Sequence, residues 1–250
     1  RVSAPEGINT LGKELVGPIV LALGTEEQKK TVIPRMLRLD DIWCQGFSEP
    51  GAGSDLAGLA TRAVPDGDRF VVSGQKVWTS YAMFAQRCYL MVRVAGVANG
   101  VTMVVLHMDR PGVTVRPLRN ITGSSEFCEV FLDEVTVDAD DVVGGIGDGW
   151  RVATYALARE RSTGLAQRAL QLSRELVLMN AQLQRDGHAD DVLVEAFVRS
   201  RAVDSTVRRV LATVADGSEP GMLAPVAKLL WSEGHQAQLA TLVEVTGPEV

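Results

Sequence analysis

The sequence predicts an α+β protein in three consecutive parts: a helical segment, an antiparallel β domain and a helical bundle. Three observations predict it. Apolar residues recur at helical spacing over residues 8–40; the runs then become short and β-branched to about residue 143; helical spacing returns from Asp148 onward. The domains expected on this reading are 1–40, 41–145 and 146–250. With 250 residues and 46% apolar content, the chain can bury one large or two small cores.

In the first part, Leu11, Leu15, Val16, Ile19 and Leu23 share one helical face, with Pro18 set to kink or delay the helix. Gly24 breaks the pattern. Thr25 and Gln28 then form a capping-box signature that opens a second helix over 26–39. In the second part, residues 70–72, 88–94, 101–107, 113–116 and 127–132 read as strands, and Pro65-Asp66-Gly67-Asp68 has the composition of a hairpin turn. Their spacing predicts an antiparallel sheet or small barrel rather than a βαβ repeat. No Gly-x-Gly-x-x-Gly opens a helix, so a Rossmann-type dinucleotide site is not expected. In the third part, Asp148 caps a helix expected to reach about Asp186, where Arg185-Asp186-Gly187-His188 ends it. Residues 190–216 and 219–245 supply two more helices, with Pro220 and Pro225 near the start of the last. Long helices with short connections make a bundle.

Composition narrows the function classes. A net charge of −6 without a dense Lys/Arg cluster argues against nucleic acid as a partner, while leaving room for a phosphorylated ligand held by a local Arg or a helix N-terminus. Cys44, Cys88 and Cys128 are widely spaced in strand-like segments and read as reduced core residues. His107, His188 and His235 lack metal-ligand spacing. No apolar run is long enough to span a membrane and no signal peptide is evident, which makes the cytoplasm the expected location.

Two stretches carry the chemistry. In Phe47-Ser48-Glu49-Pro50-Gly51-Ala52-Gly53-Ser54-Asp55, the glycines let backbone N–H groups approach a ligand closely, and Ser48 and Ser54 add hydroxyls. In Gly74-Gln75-Lys76-Val77-Trp78-Thr79-Ser80, Trp78 offers a flat surface to a planar heterocycle, with Thr79 and Ser80 beside it. Together they fit a polar ligand with an aromatic part; a Gly/Ser turn near a core Trp fits the same residues. For Glu49, ordering the turn is a better role than acting as a base.

These two motifs, in this order and spacing, resemble the acyl-CoA dehydrogenase family of flavoproteins, and the similarity runs from about Gly7 to the end of the chain. The resemblance implies that family's fold, a β domain between two helical domains. It implies FAD as cofactor, an acyl-CoA thioester as substrate and an electron-transferring flavoprotein as electron acceptor. It also implies assembly as a homo- or heterotetramer, or a dimer. The implied reaction is α,β-dehydrogenation to the trans-2-enoyl-CoA, in which a carboxylate removes the α-proton and the β-hydrogen leaves as hydride to flavin N5.

The resemblance also assigns residues. Gln45, Phe47 and Ser48 match the strand along the pyrimidine side of the flavin. Gly53 and Ser54 match the glycine loop, with Ser54 near the CoA pantetheine and pyrophosphate. Trp78, Thr79 and Ser80 match the segment flanking the ring, with Thr79 close to N5. Leu157-Ala158-Arg159-Glu160-Arg161-Ser162-Thr163-Gly164 matches the isovaleryl- and long-chain-type members, whose base sits on the long helix of the C-terminal domain. That makes Glu160 the expected base, Arg161 a contact to the CoA adenine end, and Gly164 the place where a missing side chain leaves room for the acyl group. For Glu160 and Arg161 an ordinary salt bridge is the competing role, and in other members the base lies on a later loop, here beyond Val250.

Residues 185–192 depart from the Arg-x-x-Phe-Gly segment of many relatives, which puts the adenine-side FAD contacts in doubt. The chain starts at Arg1 and stops at Val250 just after a Gly247-Pro248 break, and it reads as a fragment; 97–100 reads as a truncated loop. An acyl-CoA oxidase or flavin monooxygenase of the same fold, or a non-catalytic partner subunit, are the other functions this pattern admits.

Overall fold

The computed structural model describes residues 7–160, 164–186 and 191–246. The chain divides into two compact units between Leu157 and Ala158. Among the described residues no helix is long and apolar enough to cross a membrane.

The first unit begins with two short helices, α1 (Gly17–Leu23) and α2 (Glu26–Arg38). Pro18 has no N–H to continue a helical ladder, and the turn before it, Gly12–Val16, widens to π geometry with the Gly17 N–H on the Gly12 carbonyl. The capping box expected at α2 is present in both directions: the Gln28 N–H donates to Thr25 Oγ1 and the Thr25 N–H to Gln28 Oε1, each at 3.1 Å. The same Gln28 side chain donates from Nε2 to the carbonyls of Asp140 (2.7 Å) and Val142 (2.9 Å), tying α2 to the end of the β region.

Eight strands form one sheet: β1 (Trp43–Gly46), β2 (Arg62–Asp66), β3 (Arg69–Ser80), β4 (Arg87–Val94), β5 (Val101–His107), β6 (Val113–Leu118), β7 (Phe127–Asp138) and β8 (Val142–Val143). The order is β6-β7-β3-β2-β4-β5-β8, with β1 also on β4. The β2–β3 hairpin turns where Pro65–Asp68 was expected to turn, with Gly67 at φ +63° supplying the left-handed residue. Most pairings are antiparallel as expected, but β1 and β2 both run parallel to β4. They share one edge of it: β1 pairs with 87–90 and β2 with Arg93 and Val94, because β5 occupies the other edge along its whole length. The chain therefore leaves the sheet at Gly46 and rejoins the same strand at Arg62.

Two cores sit on opposite faces of β4 and β5. Cys88, Leu90, Val92, Val104 and Leu106 pack with Phe70, Val72, Cys128, Val130 and Val135 inside the curved sheet. Tyr89, Met91, Met103 and Val105 face the helices, against Leu15, Val16, Ile19, Val20 and Met36. Burial on both faces explains why 88–94 and 101–107 are almost continuously apolar instead of alternating. The first residues of α3 (Gly149–Glu160) join the helix-side core through Val152, Ala153 and Ala156. Gly149 is required there, since a Cβ would lie 2.7 Å from the Thr102 N and the Val101 carbonyl.

The second unit holds α4 (Gly164–Asp186), α5 (Asp191–Ala215) and α6 (Leu223–Thr246) around Leu165, Ala169, Leu172, Val203, Val207, Val210, Ala224 and Ala227. The span expected as one helix is occupied by α3 and α4; residues 161–163 lie outside the described residues, as does His188. The last helix starts later than expected because Pro220-Gly221, with Gly221 at φ +52°, turns the chain first. The three cysteines are free and buried, as read from their spacing.

Asp141, in the turn after β7, supplies a pH-dependent term. Burial, with help from Asp138, pushes its carboxyl up to about 6 against the opposing pull of Arg87 and Arg110. A folded value above the ordinary 3.8 favours the fold below about pH 4, and that contribution is lost as pH rises through about 6. Asp141→Asn should therefore raise Tm at pH 7.5 by about 2–4 °C, the effect of about 1 kcal/mol in a chain of this size. Thermal melts across pH should show the gain shrinking below pH ~6 and gone near pH ~4.

Candidate functional site

The site is built where β1 and β2 leave a gap along β4. Residues 47–61 fill it, and the far half of β3 runs alongside. The Val77 N–H donates to the Ser48 carbonyl at 2.9 Å, which places the second motif beside the first. Glu49 and Ala52 close the loop on itself with reciprocal backbone bonds of 2.8 and 3.1 Å.

Beneath this junction lies a buried ion pair. Lys76 is fully buried, and its Nζ donates to Glu49 Oε1 at 2.7 Å and to the Phe47 carbonyl at 3.2 Å. Glu49 also accepts the amides of Ala60 (2.6 Å) and Thr61 (2.9 Å), so the carboxylate spans both ends of the loop. Burial works against the Glu49 carboxylate, yet hydrogen bonds from Lys76, Thr61 and Ala60 outweigh it and hold its pKa below the usual value. Burial lowers the pKa of Lys76, with Glu49 opposing. The ordering role expected for Glu49 agrees with these contacts. The sequence reading assigned Lys76 no role, although a signal existed: with Phe70, Val72 and Gly74, Lys76 continues the inward period of β3, where a charge must find a partner.

Above the ion pair, β3 slips register against β7 between Lys76 and Thr79. Trp78 takes a left-handed conformation (φ +59°) and is 62% exposed, with its ring edge-on to Phe127 at 6.1 Å. A non-glycine residue at this φ stores strain, and such residues cluster at ligand sites. Thr79, expected near the ring, is wholly enclosed, and its Oγ1 has no hydrogen-bond partner. Ser80 is half-buried and pairs with Phe127 across the ladder.

On the loop, Gly51, Gly53 and Ser54 are exposed, and a Cβ added at either glycine would meet nothing within 4 Å. Gln45 and Ser48 are half-buried, while Phe47 is buried with its ring 5.8 Å from that of Tyr89. Backbone bonding thus brings the segment of Gln45, Phe47 and Ser48 beside that of Trp78, Thr79 and Ser80, and Gly53 and Ser54 lie on the loop that continues from Ser48, all within the first unit. An open glycine loop, an outward-facing indole and the half-buried Ser80 hydroxyl fit a flavin: backbone N–H groups for phosphate, a flat apolar face for the ring, and a reachable hydrogen-bonding group. Glu160 ends α3 and Gly164 begins α4, half-buried; the Glu160 side chain and Arg161 lie outside the described residues. Among the described residues no His/Cys/Asp/Glu cluster fits a metal ion.

Known proteins resemble this chain over most of its length. Residues 44–135 match the acyl-CoA dehydrogenase middle-domain model and residues 147–250 the acyl-CoA dehydrogenase C-terminal-domain model. The chain is 40% identical over 254 residues to acyl-CoA dehydrogenase IpdE1 of Mycobacterium tuberculosis, covering 99% of this chain and 66% of that protein. It is 39% identical over 233 residues to acyl-CoA dehydrogenase FadE34 of the same organism, covering 92% of this chain and 33% of the relative. Among solved structures, a "Tcur3481-Tcur3483 steroid ACAD" superposes with a TM-score of 0.89 at 30% identity, over 96% of this chain and 64% of that one. The ChsE4-ChsE5 complex of Mycobacterium tuberculosis superposes at 0.81 and 28% identity, over 96% and 65%.

Breaking the ion pair from one side should be costly. Lys76→Ala leaves a buried carboxylate uncompensated and should destabilise the protein by about 3–5 kcal/mol, read as a lowered urea midpoint.

Proposed function

The chain belongs to the acyl-CoA dehydrogenase family, and on that premise we propose that it performs flavin-dependent α,β-dehydrogenation of an acyl-CoA thioester. The observation that carries this reading is the outward-turned Trp78, next to the Val77 N–H that bonds Ser48 where the chain enters the open glycine loop. The family is flavin-dependent, and FAD is the flavin we assign. Backbone N–H groups at Gly53 and Ser54 would take its pyrophosphate, Gln45, Phe47 and Ser48 would lie along its pyrimidine side, and Trp78 would flank its ring. Of the two hydroxyls at that edge, Ser80 is the one solvent reaches, so we assign it the ring-facing role and place Thr79 beneath it.

Bound there, the flavin supplies the hydride acceptor for the β-hydrogen, a task no side chain of this protein performs. Glu160 is the α-proton base we assign, on the Leu157–Gly164 pattern. Ser54 and Arg161 are assigned to the CoA moiety and Gly164 to the acyl group. The solved neighbour named as a steroid ACAD supports a bulky, polycyclic acyl group as the first to test.

An electron-transferring flavoprotein is the acceptor we assign. A second subunit, identical or related, is the other partner. On α4 and α5, Val177 and Phe197 line a groove of about 440 Å³ and, like Leu178 and Val194 on the same helices, are more than half exposed, apolar surface of the kind that marks an interface. Neighbours named as two-component assemblies support the pairing. They also support the second reading, a partner subunit without catalysis of its own.

The test is an anaerobic titration of the full-length protein with short, branched, long and polycyclic acyl-CoAs, followed through the flavin visible band. Bleaching by one class is expected, slowed at least ~10²-fold in Glu160→Gln with flavin still bound. Bleaching unchanged in Glu160→Gln would move the base elsewhere. A colourless protein that takes up no flavin would leave the partner-subunit reading.

A further inference from the structure

We propose that Lys76 and Glu49 are a positioning pair for the flavin site, which lock the loop 47–55 and the bulged edge of β3 into one body. The inference rests on the flavin reading above and goes beyond it by naming what holds the two contact segments in register.

The argument begins with what the pair does not supply. A fully buried lysine and carboxylate lose their hydration, and well-packed apolar residues of similar volume commonly stabilise a fold as well or better. Lys76 stands on the inward period of β3, where Phe70 and Val72 already show that an apolar residue suits the core. A charge pair at this depth is therefore poorly explained by stability alone.

Its connections are specific to the site. Lys76 Nζ holds the Phe47 carbonyl and the Glu49 carboxylate, which are the opening residues of the first motif. The carboxylate continues to the Ala60 and Thr61 amides, where the chain re-enters the sheet. One residue beyond Lys76, the Val77 N–H bonds the Ser48 carbonyl, and the next residue is the left-handed, outward Trp78. Loop entry, loop exit and the strand that carries the strained edge thus converge on one ion pair. Gly51 and Gly53 face open space and the tip residue between them, Ala52, is buried and held by reciprocal backbone bonds to Glu49, so the placement of the tip follows that of Glu49. Apolar residues in place of the pair would fill the volume but would exert no directional hold on the Phe47 carbonyl or the two amides.

The experiment compares the full-length protein with the double variant Lys76→Met/Glu49→Leu, and separately with Glu49→Gln. Tm is measured without flavin, FAD affinity by equilibrium titration, and the ring environment by visible circular dichroism of the bound flavin. The expected result is a double variant that melts within a few degrees of the parent or above it, yet binds FAD about tenfold or more weakly with an altered visible spectrum. Glu49→Gln, which keeps the shape and removes the charge, should lose affinity in the same direction. FAD affinity and visible spectrum unchanged in Glu49→Gln would overturn the inference whether or not the double variant folds, and leave the flavin reading standing. A parent protein that takes up no FAD would overturn both.

Discussion

The sharing of one edge of β4 by β1 and β2 is the constraint on which the rest of the structure depends. Two strands running parallel to the same neighbour, one after the other, cannot be joined by a tight turn. The fifteen-odd residues between them must leave the sheet and return, and they begin to do so beside the second half of β3, where the Val77 N–H bonds the Ser48 carbonyl. The Phe47–Asp55 motif is therefore displayed by topology. Burial of β4 and β5 on both faces makes that edge rigid, since Tyr89 and Met91 pack toward the helices while Leu90 and Val92 pack inside the sheet.

Four buried polar side chains join what the sheet alone would leave separate. Asn9 donates to the carbonyls of Met36 and Asp41 and accepts the Trp43 N–H, fastening the helices to β1. Gln28 closes a capping box and reaches the turn after β7. Glu49, with Lys76, ties both ends of the loop to β3. Each satisfies backbone groups that would otherwise be buried without partners, which is where polar burial is repaid. Of these fixed points, the Lys76–Glu49 pair lies two residues from the strained Trp78. The result is an indole facing solvent within a strand whose other large apolar residues point inward.

Much of the fold was legible because its signals are local. The Thr25/Gln28 box depends on residues three apart, the Pro65–Asp68 turn on four in a row, and the continuous apolar runs at 88–94 and 101–107 announce strands covered on both faces. Short or polar elements were not legible: Arg62–Asp66 carries two charges and a proline, and Val142–Val143 is too short to show a period. The parallel pairing of β1 and β2 was also hidden, since periodicity carries no information about which edge a strand takes or in which direction. At the candidate site, the loop and the Trp-Thr-Ser edge were recognisable as a pair. The enclosure of Thr79 beside a reachable Ser80 was not, because it follows from a register slip that no residue pattern marks.

By itself, the sequence determined the class of this protein, the helix–sheet–helix order and the two motifs that mark a flavin-binding family. These depend on residue type and spacing, which persist in an unfolded chain. Tertiary structure alone decided which groups meet. It brought Lys76 to Glu49 across 27 positions, turned Trp78 outward and Thr79 inward, and left the glycine loop open to a ligand. The reason is physical: pairing a buried charge and orienting a strained residue depend on distances between segments far apart in the chain, and those distances exist only once the sheet has closed around them.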